Sequence, residues 1–329
     1  MTATTVSPDR ILKELSDLWV TMAKEGPTEG GAGVLRACSM TLLVMAEEAE
    51  DIAQLGETIA ALMPEHPART VHIRMCCPGE RSMSERVYAQ CWMPFGQRRQ
   101  ICCEQVEIRV TDDALGDLPS VVLPLTVADL PVILWCRTPR LVGMPEFREM
   151  AAMARKVVLD SAAMDDPKDA LRRFSEAAER GVMLGDLAWT RVTRWREMLS
   201  QVFENPERVA QLAAIDRVSI AYGPTYETSA RYLAAWIGGA LPGARTEEVV
   251  AAAEVPTLRI RLTGPGLNIE LIRRDETLVV TVNELSFHTR LPYPTDYLLM
   301  REELGIVRRD PLFERTLASA AGLAYATDK

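Results

Sequence analysis

Apolar and polar positions along the chain follow two periods, and the switches between them predict the elements. Ile11, Leu15, Leu18 and Met22 share one helical face behind Ser7-Pro8, a capping serine with proline at the first helical position, so a helix is expected to run to about Lys24. The glycine-rich stretch 26–33 (GPTEGGAG) reads as a connector and 36–45 (RACSMTLLVM) as a buried strand. Ile52, Leu55, Ile59 and Leu62 return to helical spacing until Pro64 ends it. In 69–75 (RTVHIRM), Val71, Ile73 and Met75 alternate with Thr70, His72 and Arg74, the period of a half-buried strand. Strands are expected near 86–92 and 101–110, a helix over 121–127, an interior strand over 132–136 (VILWC), a helix near 146–154 and a strand over 156–160.

Turn-forming, acidic 164–168 (MDDPK) marks a boundary, after which the order helix, strand, helix and several short strands recurs. The pattern predicts a long helix over 186–203, a strand over 217–221 and a mostly apolar helix over 225–240. Hairpin-sized loops then join strands at 257–262, 267–272, 277–283 and 286–291. Two short helices close the chain, one between Thr295 and Gly305 and one opened by Asp310-Pro311. The fold class expected is α/β (α+β), with two similar mixed α/β units over 1–163 and 164–329. Their shared element order is what a divergent duplication would leave, although no residue-level repeat is visible.

The 329 residues are long enough for two such units, and 48% hydrophobic with 25% charged residues is the balance of a folded globular protein. Forty-six acidic against 37 basic residues give a net charge of −9, which argues against nucleic acid or anionic membrane as partner. The first ten residues lack the basic and apolar regions of a secretory signal, so a cytoplasmic location is expected. With seven cysteines, an odd count, the same reading predicts reduced thiols rather than a disulfide framework.

Candidate chemistry is sparse. Gly30 to Gly33 precedes a strand, whereas a dinucleotide loop follows one, so no cofactor is expected there. Cys76-Cys77, Cys91 and Cys102-Cys103 with His72 could be imagined around zinc. Adjacent strand residues point to opposite faces, however, and no C-x-x-C spacing is present, so no metal is expected. The acidic run Glu47-Glu48 with Glu50-Asp51 reads as the solvated start of a helix. More unusual are Trp189, Arg191, Trp195 and Arg196, two tryptophans and two arginines close together on one expected helix. Trp and Arg are enriched at protein–protein hot spots, and the alternative is a core with internal ion pairs.

Several ordered blocks resemble the glucose-6-phosphate dehydrogenase assembly proteins, the OpcA family. They are Arg36-Ala-Cys-Ser-Met40, His66-Pro-Ala-Arg69, Cys103-Glu-Gln-Val-Glu-Ile108, Leu123-Pro-Leu125, Asp129-Leu-Pro-Val-Ile-Leu-Trp135, Val158-Leu-Asp-Ser161, Asp186-Leu-Ala-Trp-Thr-Arg191, Trp195-Arg196 and Glu303-Leu304. The sequence departs from the family pattern at Cys136, where a second tryptophan is usual, and at Arg194. No cysteine follows Cys136, so the C-terminal cysteines suggested for redox control in photosynthetic relatives have no counterpart.

The resemblance implies a non-catalytic bacterial protein that binds glucose-6-phosphate dehydrogenase, promotes its active oligomer and shifts its affinity for substrate in the oxidative pentose phosphate pathway. Partner-binding residues would then be Trp189, Arg191, Trp195 and Arg196, with Arg36, Arg69, Asp129, Trp135 and Asp160 marking the family blocks of the first unit; Asp129-Leu-Pro131 could equally serve only to start a buried strand. A second reading places a sugar phosphate at the strand ends, near Cys136-Arg137-Thr138 and Asp160-Ser161, with Arg137 and Arg140 binding the phosphate.

Overall fold

A computed structural model describes residues 6–24, 34–76, 80–94, 99–252 and 254–326. The chain divides into two compact units, Met1–Leu159 and Asp160–Lys329. The expected connector at Gly30 to Gly33 and the thiol of Cys77 lie outside the described residues.

The first unit contains α1 (Pro8–Lys24), β1 (Leu35–Arg36), β2 (Met40–Glu47), α2 (Ile52–Leu62), β3 (Ala68–Cys76), β4 (Met83–Trp92), β5 (Ile101–Thr111), α3 (Leu118–Val122), β6 (Val132–Cys136), α4 (Pro145–Met153) and β7 (Lys156–Leu159). Its strands run β1-β5-β3-β2-β6-β7, all parallel, and β4 lies antiparallel against β5. Parallel sheets carry helices on their faces and bury their central strands on both sides. That corrects the half-buried reading of 69–75: in β3 not only Val71, Ile73 and Met75 but also Arg69, Thr70 and His72 are buried. The helix expected over 121–127 is shorter and earlier, α3 followed by a 3-10 turn at Leu123–Leu125.

The second unit contains α5 (Pro167–Glu179), β8 (Leu184–Asp186), α6 (Leu187–Thr190), α7 (Thr193–Val202), α8 (Pro206–Gln211), β9 (Arg217–Tyr222), α9 (Glu227–Ala240), β10 (Arg245–Ala251), β11 (Leu258–Gly264), β12 (Leu267–Arg274), β13 (Thr277–Val282), β14 (Leu285–Arg290), α10 (Asp296–Gly305) and α11 (Pro311–Ala326). Its larger sheet has the order β10-β9-β11-β12-β13-β14, parallel only between β10 and β9. The alternation seen in the sequence is kept. Leu258, Ile260 and Leu262, Leu267, Ile269 and Leu271, and Leu278, Val280 and Val282 are buried on one face, as expected where the opposite face meets solvent.

A mixed α/β fold is thus observed, but one sheet is parallel apart from β4 and the other mainly antiparallel, and a duplication is not confirmed. The single helix expected over 186–203 is three elements. Asp186 ends β8 and caps α6 by accepting the Ala188 N–H, and Val192 leaves helical geometry before α7. Helix α5 was hidden in the acidic turn: Asp166 caps it by accepting from the N–H groups of Lys168 and Asp169, and Pro167 occupies its first position. Among the described residues no helix is long and apolar enough to cross a membrane.

The expectation of reduced thiols throughout is also corrected. Cys91 and Cys102 stand directly opposite one another on β4 and β5, with Cα atoms 4.1 Å apart, and are joined by a disulfide. Antiparallel neighbours are close enough for this bond, which counting cysteines cannot show. Cys38, Cys76, Cys103 and Cys136 are free thiols.

His72 has a consequence of its own. It sits in the middle of the first sheet with no hydrogen-bond partner for Nε2, and burial pulls its pKa from 6.5 to about 4, against the opposing pull of Glu107. A histidine kept neutral stabilises the fold above pH 6.5, and that contribution is lost as pH falls toward 4. We expect His72 to cost about 3 kcal/mol between these limits. Urea titrations at a series of pH values should show His72→Leu losing less stability than the parent over that interval, and parallel curves would refute the assignment.

Candidate functional site

In the first unit, β3 and β5 lie side by side, which brings Arg69 and Glu104 together. Glu104 is 2% exposed, yet its carboxylate accepts from three donors: Arg69 Nε at 2.6 Å, Trp19 Nε1 at 2.6 Å and Arg36 at 2.7 Å. Arg69 also donates to the Leu125 carbonyl at 2.9 Å. Arg36, on the two-residue strand β1, stays half exposed and lies 5.5 Å from the centre of the Trp19 ring, within cation–π range. Beside this cluster is a cavity of about 280 Å³, lined by α1 through Leu12, Leu15 and Trp19 and by Arg36, Arg69 and Glu104.

Asp129 is exposed, in the left-handed region at φ 64°, in the turn that leads through Pro131 into β6. Aspartate tolerates this conformation better than most residues, so its place in the chain has a backbone cause. Trp135 is 1% exposed inside β6, with the Arg137 guanidinium 4.8 Å from its ring centre. The strand-end arginines are already engaged: Arg137 donates to Glu50 at 2.6 Å, and Arg140 bridges Glu47 at 2.6 Å and Asp112 at 2.9 Å. That changes the reading of the acidic run, because Glu47 and Glu50 are ion-pair partners of these arginines. Asp51 alone performs the expected helix-start role, accepting the Gln54 N–H at the head of α2.

In the second unit, Asp186 is the organising group. It is fully buried, and its carboxylate accepts from the Ser161 N–H at 3.0 Å, the Ala188 N–H at 2.9 Å and the Tyr232 hydroxyl at 2.7 Å. Burial, reinforced by the nearby Asp160, raises its pKa to about 6. Asp160 in turn receives both terminal nitrogens of Arg191, at 2.7 and 3.3 Å, a bidentate pair with geometric specificity. Thr190 donates to the buried carboxylate of Glu303 on α10.

Trp189 and Trp195, 3% and 2% exposed, are core residues of the isolated chain. Trp189 packs against Tyr232 and Phe313, with ring centres 5.6 and 6.0 Å away, and the Arg196 guanidinium lies over its ring at 3.4 Å. Burial lowers the Arg196 pKa to about 10. The structure therefore brings Arg36 and Arg69 together in one cluster and Asp160 and Arg191 in another, and sets Trp189 beside Arg196. Asp129 and Trp135 join neither cluster.

Glu104 and Asp186 stand within the sequence blocks given above but not among the candidate site residues, and Tyr232 stands in neither. The signal for the first was present, a carboxylate within the apolar run of β5. A buried charge needs partners, and Arg36 and Arg69 supply them.

Two family models match the chain. One, described as glucose-6-phosphate dehydrogenase subunit N-terminal domain, covers residues 59–176, and the other, its C-terminal domain, covers 182–317. An OpcA protein of Nostoc punctiforme is 32% identical over 141 residues, covering 43% of this chain and 30% of its own length. One from Synechocystis sp. is 26% identical over 190 residues, covering 57% and 39%. The chain thus spans less than half the length of these curated relatives. Among solved structures, a 3-ketoreductase from Actinomadura kijaniata aligns with a TM-score of 0.49 at 13% identity over 87% of this chain and 96% of its own. An oxidoreductase from Sinorhizobium meliloti aligns at 0.49 and 12% over 88% and 96%. Likeness at that level transfers neither reaction nor cofactor. Both halves of the sequence answer to the two domains of one family, and the chain belongs to the OpcA family of glucose-6-phosphate dehydrogenase assembly proteins.

Proposed function

We propose that this chain is a non-catalytic cytoplasmic assembly factor that binds glucose-6-phosphate dehydrogenase, favours its active oligomer and so activates it allosterically in the oxidative pentose phosphate cycle. The observation that carries this reading is the match of both family domains in order along the chain. The site chemistry is in keeping with it, because the distinctive charges are spent on one another: Glu104 on Arg36 and Arg69, Asp160 on Arg191, and Glu47 and Glu50 on Arg140 and Arg137.

In this proposal Arg36 and Asp129, both exposed, touch the enzyme directly. Arg69, Trp135, Asp160, Trp189, Arg191, Trp195 and Arg196 hold the surfaces that present the contacts. An effector of this kind works only by binding one assembly state of the enzyme more tightly than another, a coupling of roughly 1–3 kcal/mol.

The test is dehydrogenase activity, with enzyme from the same organism, across substrate concentrations with and without this protein, beside size-exclusion chromatography of the mixture. The apparent KM should fall by about 5-fold or more and a larger co-eluting species should form. Arg36→Ala and Asp129→Ala should weaken co-elution while leaving circular dichroism unchanged. No change in KM or elution with a competent enzyme would overturn the proposal.

A further inference from the structure

Among the described residues, no strand pairs with the outer edge of the second sheet's last strand. β14 ends the strand order, and its residues Leu285 and Phe287 are 61% and 49% exposed. By register Leu285 stands beside Val282 and Phe287 beside Val280, so both lie on the apolar face of the sheet, past the last residues that the core covers. Proteins normally blunt such an edge with proline, lysine or a bulge, and β14 pairs with β13 over six residues without a shift and contains neither residue.

The direction of the backbone groups on this edge can be worked out. The Leu291 N–H donates back to the Glu276 carbonyl, and bonding alternates residue by residue in an antiparallel pair. Leu285, Phe287 and Thr289 therefore turn their backbone groups toward β13, while Ser286, His288 and Arg290 turn theirs outward.

From this we infer that β14 pairs antiparallel with β14 of a second copy of this chain, joining two six-stranded sheets across a twofold axis at Phe287. In that register Ser286 faces His288 of the other copy, and both have outward backbone groups to exchange. Phe287 faces its own counterpart at a non-hydrogen-bonded position, where side chains approach most closely and aromatic pairs contribute most. Leu285 faces Thr289. At each end Glu284, in the hairpin turn, comes level with Arg290 of the other copy. Glu284 has no ion partner among the described residues, and Arg290 holds only a solvent-exposed pair with Glu276 at 3.2 Å. The segment 284–290 (ELSFHTR) is therefore complementary to itself in reverse, apolar at its centre and oppositely charged at its ends. That charge arrangement is why the occupant is a second copy rather than an unrelated strand.

Analytical ultracentrifugation of the full chain over a range of concentrations tests this without any enzyme present, so its result is separate from that of the assembly assay. The parent chain should be a concentration-dependent dimer, and Phe287→Glu should be monomeric with an unchanged circular dichroism spectrum. Glu284→Arg and Arg290→Glu should each weaken dimerisation about tenfold, because each acts twice across the axis. Combining them should restore it, since both pairs are then reversed. A parent chain that stays monomeric at about 100 μM, at which even weak specific association shows, would overturn the inference. So would a dimer indifferent to Phe287→Glu, or a double reversal that fails to rescue.

Discussion

Replacing Asp186 with alanine is expected to destabilise the second unit by about 3–5 kcal/mol. Three donors lose their acceptor at once, the N–H groups of Ser161 and Ala188 and the Tyr232 hydroxyl, and each lies in a fully buried setting where no water replaces the carboxylate. An unsatisfied buried donor costs about 1–3 kcal/mol. The conservative Asp186→Asn should lose much less, because the amide oxygen still accepts from the two backbone N–H groups. The two replacements should also differ with pH. A carboxyl whose folded pKa is raised to about 6 contributes stability that is full below pH 3.8 and lost as pH rises through 6. Asparagine, which does not titrate, should therefore compare best with the parent near neutral pH and worst near pH 4. This dependence is opposite in sign to that of His72 in the first unit. Urea unfolding at several pH values measures all of this, and a loss under 1 kcal/mol for the alanine variant would refute the role given to Asp186.

Glu104→Ala should have an effect of similar size in the first unit, about 3–5 kcal/mol, by a different mechanism. Arg69 is 8% exposed, and without Glu104 it keeps, among the described residues, only the Leu125 carbonyl as an acceptor for its charge. Removing one member of a buried ion pair leaves the other charged and desolvated, which is costly, whereas replacing both by apolar groups often is not. The double variant Glu104→Leu with Arg69→Met is accordingly expected to be more stable than Glu104→Ala alone, although it discards one more interaction. Trp19 and Arg36 lose their acceptor in either case, so hydrogen exchange should also rise in α1, which Trp19 ties to Glu104. If the single variant were as stable as the double, the pair would not be the unit of stability proposed.

Much of the fold could be read from spacing, and its failures have local causes. The limits of α2 and β6 follow from helical spacing closed by Pro64 and from five consecutive interior residues. Thr70 and His72 depart from the half-buried pattern because alternation of side-chain type suggests one wet face, while the parallel neighbours β2 and β5 cover both. The break between α6 and α7 depends on the Asp186 carboxylate capping α6, and its other partners, Ser161 and Tyr232, are 25 and 46 residues away. No periodicity contains that information. Strand β10 (RTEEVVA) lacks clean alternation, and its place is set by parallel pairing with β9.

The candidate residues show the same division. Tryptophan and arginine in 186–196 mark an unusual helix in the sequence alone, but composition is identical for a hot spot and for a core. Only the positions of Tyr232 and Phe313, which close over Trp189, decide where that ring lies in the isolated chain. Glu104 was legible as an oddity in an apolar strand, whereas its three donors come from α1, β1 and β3 and converge only when the sheet forms.

The bond between Cys91 and Cys102 closes a small covalent ring that includes the segment joining β4 to β5. Arg99, exposed within that ring, is open to a trypsin-like protease. A cut after it would yield fragments 1–99 and 100–329, yet neither could leave the other, because the crossbridge spans the scission. Such a nicked molecule would migrate as a single species on a denaturing gel until a thiol was added, so apparent intactness under oxidising conditions says nothing about whether the backbone of this hairpin is whole.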